Sequence, residues 1–262
     1  MIFMRGDTAL GYDVRGEGPA VLLLHPFPFD RRFFADLSLP GFRLVSMDAR
    51  GFGDSELRGE FSVDDLADDA VALLDHLGIP MAAALGSSMG GYVALSIAAR
   101  HPARLSALVL AGTRAAADGE TARANRDAAA REIRTHGPGR FLDGVAVRLC
   151  SGQASSATRD EVQALASRCS PDPAHALPAM LLCLRDRPDR TMLLPKLYVP
   201  TLVVVGEDDS VAPPDEARAL KKAIAGAQLA ELVGAGHLPI IETRTDFERV
   251  VHAFCESTLA AT

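Results

Sequence analysis

The chain has 262 residues, of which 48% are hydrophobic and 23% are charged, and its formal net charge at pH 7 is −7. This composition is that of an ordinary globular protein, and it excludes a disordered chain, a collagen-like fibre and a coiled coil. A chain of this length can bury a full core without metal ions or disulfides. The acidic total argues against a nucleic-acid partner, because such proteins usually carry a basic surface.

Cysteine usage and the N-terminal residues indicate the compartment. The four cysteines are Cys150, Cys169, Cys183 and Cys255. They form neither a C-x-x-C pair nor a zinc-binding pattern with histidine, which predicts free buried thiols in a reducing cytoplasm. The first residues lack a basic region followed by an apolar stretch, so no signal peptide is expected.

One uncharged run, residues 77–99, is long enough to span a bilayer. Pro80 and the glycine-rich turn at 86–91 interrupt it, which is incompatible with one continuous helix. We therefore expect two short buried elements joined by a turn, and no membrane association.

Short apolar runs alternate with helical patterns in the first part of the chain. Strands are predicted at 20–24, 43–47, 82–85 and 105–110. Because these runs are continuously apolar, they are typical of parallel strands covered on both faces. Helices are predicted over 62–77, with Ser62 as N-cap, and over 89–100. This alternation predicts an α/β fold with a mostly parallel sheet flanked by helices.

The strand pattern stops near residue 113 and resumes near residue 197. Between them, residues 114–196 carry helical patterns with 13 basic and 10 acidic side chains. Further strands are predicted at 200–205 and 228–233, and helices at 214–225 and 245–258. We therefore expect a core domain built from residues 1–113 and 197–262, with 114–196 inserted as a helical cap.

The strongest chemical signal is the sequence Gly86-Ser87-Ser88-Met89-Gly90, which matches the G-x-S-x-G pattern. A strand is predicted before it and a helix after it, a setting in which the central serine hydroxyl is exposed on a sharp turn. The following helix directs unpaired N–H groups and a positive dipole towards developing negative charge. Ser88 is therefore the candidate nucleophile.

A serine hydroxyl needs a base, and the base needs an orienting acid. An acidic cluster, Glu207-Asp208-Asp209, follows one predicted strand, and His237 follows the next. Both positions lie at carboxyl ends of predicted parallel strands, where open α/β sheets hold their sites. The chain order of serine, acid and histidine is also that of α/β hydrolases.

Taken together, the sequence resembles the α/β-hydrolase family over nearly its whole length. The matching segments, in the family's order, are 22–28 (LLLHPFP), 48–55 (DARGFGDS), 86–91 (GSSMGG), 206–209 (GEDD) with Pro213, and 236–239 (GHLP). The resemblance implies a serine hydrolase that needs no metal or organic cofactor. It makes Ser88 the nucleophile, His237 the base and Asp209 the orienting acid.

The same resemblance assigns the oxyanion hole to the backbone N–H groups of Met89 and Phe27. The chain departs from the family at His25-Pro26, where glycine usually follows the histidine. Proline lacks an N–H, but position 26 is not the expected donor, so the hole is retained. The implied reaction is attack of Ser88 on a carbonyl, formation of an acyl-enzyme and its release by water.

The expected partner is a small-molecule ester or lactone. Phe29 and Phe141 are candidate walls of an acyl pocket, the latter on a predicted cap helix that also carries Leu142, Val145 and Leu149. The cap arginines either attract an anionic substrate or form a solvated surface; they are Arg114, Arg123, Arg126, Arg131, Arg134 and Arg140.

Other readings of the same family remain open. These are a cofactor-free haloperoxidase or perhydrolase, a carbon–carbon bond hydrolase, a lyase that uses the same triad and a non-catalytic ligand-binding protein. The absence of tryptophan from the whole chain argues against the first two, which often carry it near the site. An esterase or lactonase, with an enol-lactonase as a specific option, is the preferred interpretation.

Overall fold

The continuous apolar runs form one eight-stranded sheet in a computed structural model that describes residues 1–259. The strands are β1 (Ile2–Arg5), β2 (Thr8–Arg15), β3 (Ala20–Leu24), β4 (Arg43–Met47), β5 (Ala82–Ser87), β6 (Leu105–Ala111), β7 (Thr201–Gly206) and β8 (Gln228–Leu232). Their order in the sheet is β1-β2-β4-β3-β5-β6-β7-β8. The six strands from β4 to β8 in that order run parallel, which confirms the predicted fold class.

The apolar pattern does not predict the two N-terminal strands. β1 pairs antiparallel with β2, and β2 pairs antiparallel with β4. Their residues alternate between exposed and buried positions more than the central strands do, so no continuous apolar run marks them. They extend the sheet on the side away from β8.

Ten α-helices connect and cover the strands in the described part of the chain. They are α1 (Val63–His76), α2 (Met89–Arg100), α3 (Glu120–His136), α4 (Gly139–Asp143), α5 (Val145–Leu149), α6 (Ser156–Ser167), α7 (Pro173–Arg185), α8 (Pro214–Ala223), α9 (Pro239–Glu242) and α10 (Arg244–Leu259). Ser62 caps α1 as predicted, and its reciprocal bonds with Asp65 form a capping box.

The central strands separate two hydrophobic clusters. Along β3, Leu22 and Leu24 pack into one cluster while Val21 and Leu23 pack into the other, as expected when successive side chains point to opposite faces. The first cluster contains the buried faces of α1, α2 and α8. The second contains that of α10. Burial on both faces explains why these strands read as unbroken apolar runs.

Between β6 and β7 the described chain forms α3 to α7 and a 3-10 helix, Thr191–Lys196, and no strand. This is the segment for which the sequence predicts a helical cap. The helix expected around Phe141 is divided in two, because Gly144 separates α4 from α5. The cap assignment itself stays a prediction.

The uncharged run at 77–99 forms β5 and most of α2, joined by a sharp turn. Two short buried elements are therefore present, as the proline and the glycines predict. Within residues 1–259, no helix has both the length and the apolar character that crossing a bilayer would require.

All four cysteines are buried. Burial raises the pKa of the Cys150 thiol to about 11 and that of the Cys169, Cys183 and Cys255 thiols to about 12. The thiolate is the reactive form, so these side chains are unreactive at neutral pH.

Candidate active site

Ser88 stands on a strained turn between β5 and α2. Its φ angle is 51°, and within residues 1–259 it is the one non-glycine residue with a positive φ. The flanking glycines permit this turn because the backbone passes very close to both. A Cβ atom on Gly90 would overlap the carbonyl oxygen of Leu24, and one on Gly86 would overlap the carbonyl oxygen of Gly90. The glycine spacing is thus a requirement of close backbone packing.

A hydrogen-bonded chain joins three of the predicted site residues. His237 Nε2 lies 2.8 Å from Ser88 Oγ, and His237 Nδ1 lies 2.8 Å from Asp209 Oδ2. The other carboxylate oxygen of Asp209 accepts hydrogen bonds of 2.8 Å from the backbone N–H groups of Val211 and Ala212. Asp209 and His237 are each 3% exposed, so the acid and the base lie almost entirely out of water, whereas Ser88 is partly exposed.

Of the three consecutive acids, only Asp209 forms a hydrogen bond with His237. Glu207 and Asp208 are exposed, and Asp208 accepts a hydrogen bond of 2.6 Å from Ser151 Oγ. The turn after β7 distinguishes the three acids. In it the Asp209 N–H bonds to the Gly206 carbonyl, and the Asp209 side chain is buried. The residues of the cluster alone do not separate the three acids.

The two predicted oxyanion donors are unengaged amides. Among residues 1–259, neither the N–H of Met89 nor that of Phe27 donates a hydrogen bond to the protein. Met89 is the first residue of α2, where the helix dipole places partial positive charge. The close packing of Gly90 on the carbonyl of Leu24 holds the loop that carries Phe27 beside the start of α2.

His25 cannot serve as a second base, because both ring nitrogens bond to the backbone. Its Nε2 accepts a hydrogen bond of 2.9 Å from the Ala49 N–H, and its Nδ1 donates one of 3.0 Å to the Pro26 carbonyl. Full burial lowers the pKa of His25, so the ring is neutral. The side chain therefore fixes the loop between Leu24 and Phe27.

The neutral His25 predicts a pH dependence of stability. The unfolded chain takes up a proton near pH 6.5 and the folded chain does not, so the free energy of unfolding falls as the pH drops below about 6.5. His25→Gln removes this contribution, which is at most about 1.4 kcal/mol per pH unit. Urea unfolding between pH 5 and 8 measures it, with the exposed His136→Gln as control. Identical slopes for wild type and His25→Gln would contradict the assignment.

Glu242 accepts backbone hydrogen bonds from the residues on both sides of His237. One carboxylate oxygen accepts hydrogen bonds from the Gly236 N–H (3.0 Å) and the Ser151 N–H (2.6 Å), and the other accepts one from the Leu238 N–H (2.9 Å). The N–H of His237 itself bonds to the Leu149 carbonyl at 2.8 Å. The histidine loop is therefore attached to the helical segment between β6 and β7.

Replacing Glu242 should loosen this loop. For Glu242→Ala we expect the free energy of unfolding to fall by about 3 kcal/mol, because three charge-assisted bonds are lost. We expect kcat to fall on the order of 10-fold, because His237 is then less well positioned. Glu242→Gln keeps part of the acceptor set and should lose less of both. Denaturant unfolding and steady-state kinetics measure the two effects, with Glu248→Gln on α10 as control. Wild-type kcat in Glu242→Ala would contradict a positioning role.

The two predicted pocket phenylalanines lie in different places. The Phe141 ring contacts that of Phe27, with 5.7 Å between centroids, and Phe27 also contacts Phe52 at 6.0 Å. Phe29 is 0% exposed, packs on Phe33 at 5.2 Å and belongs to the cluster on the other face of the sheet. The backbone of Phe29 adjoins the oxyanion loop, because its N–H bonds to the Pro26 carbonyl, but of the two rings the Phe141 ring is the one that packs on Phe27.

The predicted cationic surface is largely neutralised. Four of its arginines form ion pairs: Arg114 with Glu216, Arg123 with Asp186, Arg126 with Asp118, and Arg140 with Glu132.

In the described part of the chain, no group of three or more histidine, cysteine, aspartate or glutamate side chains could hold a metal ion.

Thr113 is a contact of the nucleophile that the sequence does not indicate. Its hydroxyl donates a hydrogen bond of 2.9 Å to the Ser88 carbonyl. The available signal is its position just after β6, beside the carboxyl end of β5. That signal is weak, because many polar residues follow strands.

A family model described as Serine aminopeptidase, S33, matches residues 29–244, which include Ser88, Asp209 and His237 but not Phe27. A pimeloyl-[acyl-carrier protein] methyl ester esterase of Neisseria meningitidis is 30% identical over 91% of this chain and 93% of its own.

Two solved structures are similar over almost the full length. A thermophilic esterase from Thermogutta terrifontis has a TM-score of 0.89 at 33% identity, covering 96% of this chain and 94% of that one. The enol-lactonase from Burkholderia xenovorans LB400 has a TM-score of 0.88 at 28% identity, covering 97% and 99%. The fold is thus shared along almost the whole chain.

Proposed function

The chain belongs to the α/β-hydrolase family, in the group matched by the Serine aminopeptidase, S33, model, and from this premise we propose that it hydrolyses a small carboxylic ester or lactone through an acyl-enzyme. The observation that carries the proposal is the continuous hydrogen-bonded chain from Ser88 Oγ through His237 to Asp209. The relatives named as esterases and an enol-lactonase support the bond type.

The proposed mechanism assigns one role to each group. His237 Nε2 takes the proton of Ser88 Oγ as that oxygen attacks the substrate carbonyl. Asp209 accepts a hydrogen bond from His237 Nδ1–H, which fixes the tautomer and stabilises the imidazolium that forms. The proton then passes from His237 to the leaving alcohol, and the acyl group stays on Ser88. Water, deprotonated by His237, then attacks the acyl carbon, and His237 returns that proton to Ser88 Oγ as the bond to Ser88 breaks and the acid leaves.

The oxyanion of the tetrahedral intermediate is bound by the N–H groups of Met89 and Phe27. Such a donor is worth roughly 3–4 kcal/mol of transition-state stabilisation in comparable sites. Two features support this assignment: neither amide has a partner in residues 1–259, and Met89 begins a helix. No metal ion or organic cofactor enters this mechanism.

Residues 114–196 form the cap over this site in our proposal. The Leu149 carbonyl holds the His237 N–H, and the Phe141 ring packs on Phe27. The acyl group of the substrate then lies against Phe141.

Phe141 and Phe29 should respond differently to truncation. We expect Phe141→Ala to raise KM for longer acyl esters about 10-fold with little change in kcat, because an apolar wall is lost. Phe29→Ala should instead lower the free energy of unfolding by about 3–5 kcal/mol, because it leaves a cavity in the core. Kinetics on esters of increasing length and denaturant unfolding measure the two. If KM for esters of every acyl length is unchanged in Phe141→Ala, Phe141 does not line the pocket.

The test of the proposed function is hydrolysis of p-nitrophenyl esters from acetate to decanoate, followed by lactones including an enol-lactone. Ser88→Ala gives the background rate. Turnover by the wild type alone supports the proposal, and the best chain length gives the size of the pocket. Equal inactivity of both proteins on every ester and lactone would overturn it in favour of a lyase or a ligand-binding protein.

A further inference from the structure

Residues 111–113, where β6 ends, hold the backbone of the nucleophile on both sides. Ala111 is the last residue of β6 and lies opposite Ser87 in the parallel pair of β5 and β6. The Ser88 N–H donates a hydrogen bond of 2.8 Å to the Ala111 carbonyl, and Thr113 Oγ1 donates one of 2.9 Å to the Ser88 carbonyl. Both polar groups of the Ser88 backbone are therefore bonded to this segment.

The Ser88 backbone is strained, so its position depends on such contacts. Its φ and ψ angles are 51° and −109°, a conformation that L residues rarely adopt. A strained conformation persists only where the surrounding structure holds it. The Ser88 carbonyl also accepts a bond of 2.9 Å from the Gly91 N–H, within the first turn of α2. The bond from Thr113 therefore joins a strained turn to the end of the neighbouring strand.

Close packing fixes Thr113 in this contact. Thr113 is 3% exposed, and a Cβ atom on Gly91 would lie 2.5 Å from its Oγ1 and Cγ2 atoms. Side chains in proteins do not approach each other so closely, so the glycine at position 91 makes room for the threonine. The two glycines at 90–91 thus serve different contacts, because Gly90 packs on Leu24.

Gly112 lies against the other two members of the proposed triad. Its φ angle is 54°, in the region that favours glycine, and its N–H bonds to the Val204 carbonyl at 2.9 Å. A Cβ atom on Gly112 would lie 3.3 Å from Asp209 Oδ2 and 3.3 Å from His237 Nδ1, the two atoms that share a hydrogen bond. A side chain at this position would therefore press on that hydrogen bond.

We propose that residues 111–113 position the triad: Thr113 is a positioning residue for Ser88, and Gly112 leaves the bond between His237 and Asp209 undisturbed. The inference rests on the proposed hydrolysis, and it concerns how the reacting groups are held. Ser88 Oγ lies 2.8 Å from His237 Nε2. A shift of the Ser88 backbone changes this alignment, which lowers the rate of the chemical step more than it lowers substrate binding.

Thr113→Val removes the hydroxyl and keeps nearly the same side-chain shape. For a p-nitrophenyl ester that the wild type hydrolyses, we expect kcat to fall about 10-fold while KM stays within about 2-fold of wild type. Thr113→Ser keeps the hydroxyl, so it should restore most of kcat. Steady-state kinetics of the full chain measure both constants.

Thr201→Val is the matched control, because it makes the same change at a similarly buried position. Thr201 is 2% exposed, and its hydroxyl donates a bond of 3.0 Å to the Val199 carbonyl. It begins β7, so it lies at the opposite end of the strand from the site. Each valine variant loses one hydrogen bond, so both should lower Tm by a similar amount, on the order of 3 °C. Only Thr113→Val should lose kcat.

The rate of Ser88 modification by a fluorophosphonate provides a readout that needs no ester substrate. It depends on the same alignment of Ser88 Oγ with His237. We expect the rate constant to fall about 10-fold in Thr113→Val and to stay at the wild-type value in Thr201→Val.

The low-field proton resonance of His237 Nδ1–H tests the role of Gly112. It reports the hydrogen bond to Asp209, so Gly112→Ala should shift or broaden it, whereas Thr113→Val should keep it. Gly59→Ala is the control for backbone strain, because Gly59 has a φ angle of 59° and no described atom lies within 4 Å of its Cβ position. It should keep the wild-type resonance.

The outcomes separate this proposal from the proposed function. Equal kcat in Thr113→Val and Thr201→Val would overturn the positioning role and leave the hydrolysis intact, and so would a loss of kcat that Thr113→Ser shares. A resonance that is as unchanged in Gly112→Ala as in Gly59→Ala would overturn the role of Gly112. A wild type that hydrolyses no ester or lactone would contradict the proposed function. The labelling rates then decide, and equal rates in the two valine variants would overturn the proposal.

Discussion

Ser88→Ala should abolish ester hydrolysis while the fold is retained. We expect kcat to fall on the order of 10⁴- to 10⁶-fold, because the covalent step has no other nucleophile. Alanine fits the turn sterically as well as serine does, and within residues 1–259 the Ser88 Oγ is bonded only to His237 Nε2. Stopped-flow and steady-state assays on a p-nitrophenyl ester measure the loss, and circular dichroism checks the fold.

The neighbouring Ser87 provides the matched control. It lies at the end of β5, is 1% exposed and is buried beside the turn that carries Ser88. We expect Ser87→Ala to retain kcat within a few-fold of wild type, because its hydroxyl has no place in the mechanism. Comparable losses in the two variants would mean that disturbance of the turn, and not removal of the nucleophile, explains the effect.

Asp209→Asn should have the next largest effect. The asparagine amide cannot hold a hydrogen on His237 Nδ1 as the carboxylate does, so the tautomer with a free Nε2 acceptor is lost. In the serine-protease triad the same exchange lowers kcat roughly 10⁴-fold, and we expect a similar loss here. The bonds from Val211 and Ala212 reach the other oxygen and should keep the side chain in place.

Asp208→Asn is the control for this exchange, because it makes the same chemical change one residue away. Its side chain is exposed and only accepts a bond from Ser151 Oγ, which asparagine also accepts. We expect a change in kcat of less than about 3-fold, as for a surface substitution. A large loss in Asp208→Asn with activity retained in Asp209→Asn would reverse the assignment of the acid.

The parts of the fold that are fixed by local physics could be predicted from the sequence. The central strands read as unbroken apolar runs because both of their faces are buried. The start of α1 follows from Ser62 and Asp65, which lie three residues apart and bond within one turn. The glycines around Ser88 likewise indicate a tight turn by their spacing alone.

The parts of the fold that depend on distant contacts could not be predicted from the sequence. β1 and β2 are held by their antiparallel pairing with each other and with β4, so their own residues do not identify them. Leu142, Val145 and Leu149 keep helical spacing across Gly144, so the apolar pattern does not show that α4 ends there. The separation of Phe29 from Phe141 across the sheet is a tertiary property that the apolar pattern does not contain.

In the candidate site, too, some features are recognisable from the local sequence and others depend on tertiary contacts. Ser88, on the turn after β5, and His237, after the last strand, are recognisable from their local context. The choice of Asp209 depends on a backbone turn, and the sequence favours it only by resemblance. The bonds from Glu242 to Gly236, Leu238 and Ser151 join segments up to 91 residues apart, which no local pattern reveals.

Covalent labelling tests the central claim most directly, namely that Ser88 forms the acyl-enzyme. The wild-type chain is treated with a fluorophosphonate, its residual esterase activity is followed, and the modified peptide is identified by mass spectrometry. We expect one adduct per chain on Ser88, formed in step with the loss of activity, and no adduct in Ser88→Ala. An adduct on another residue, or full activity after Ser88 is labelled, would contradict the proposed mechanism.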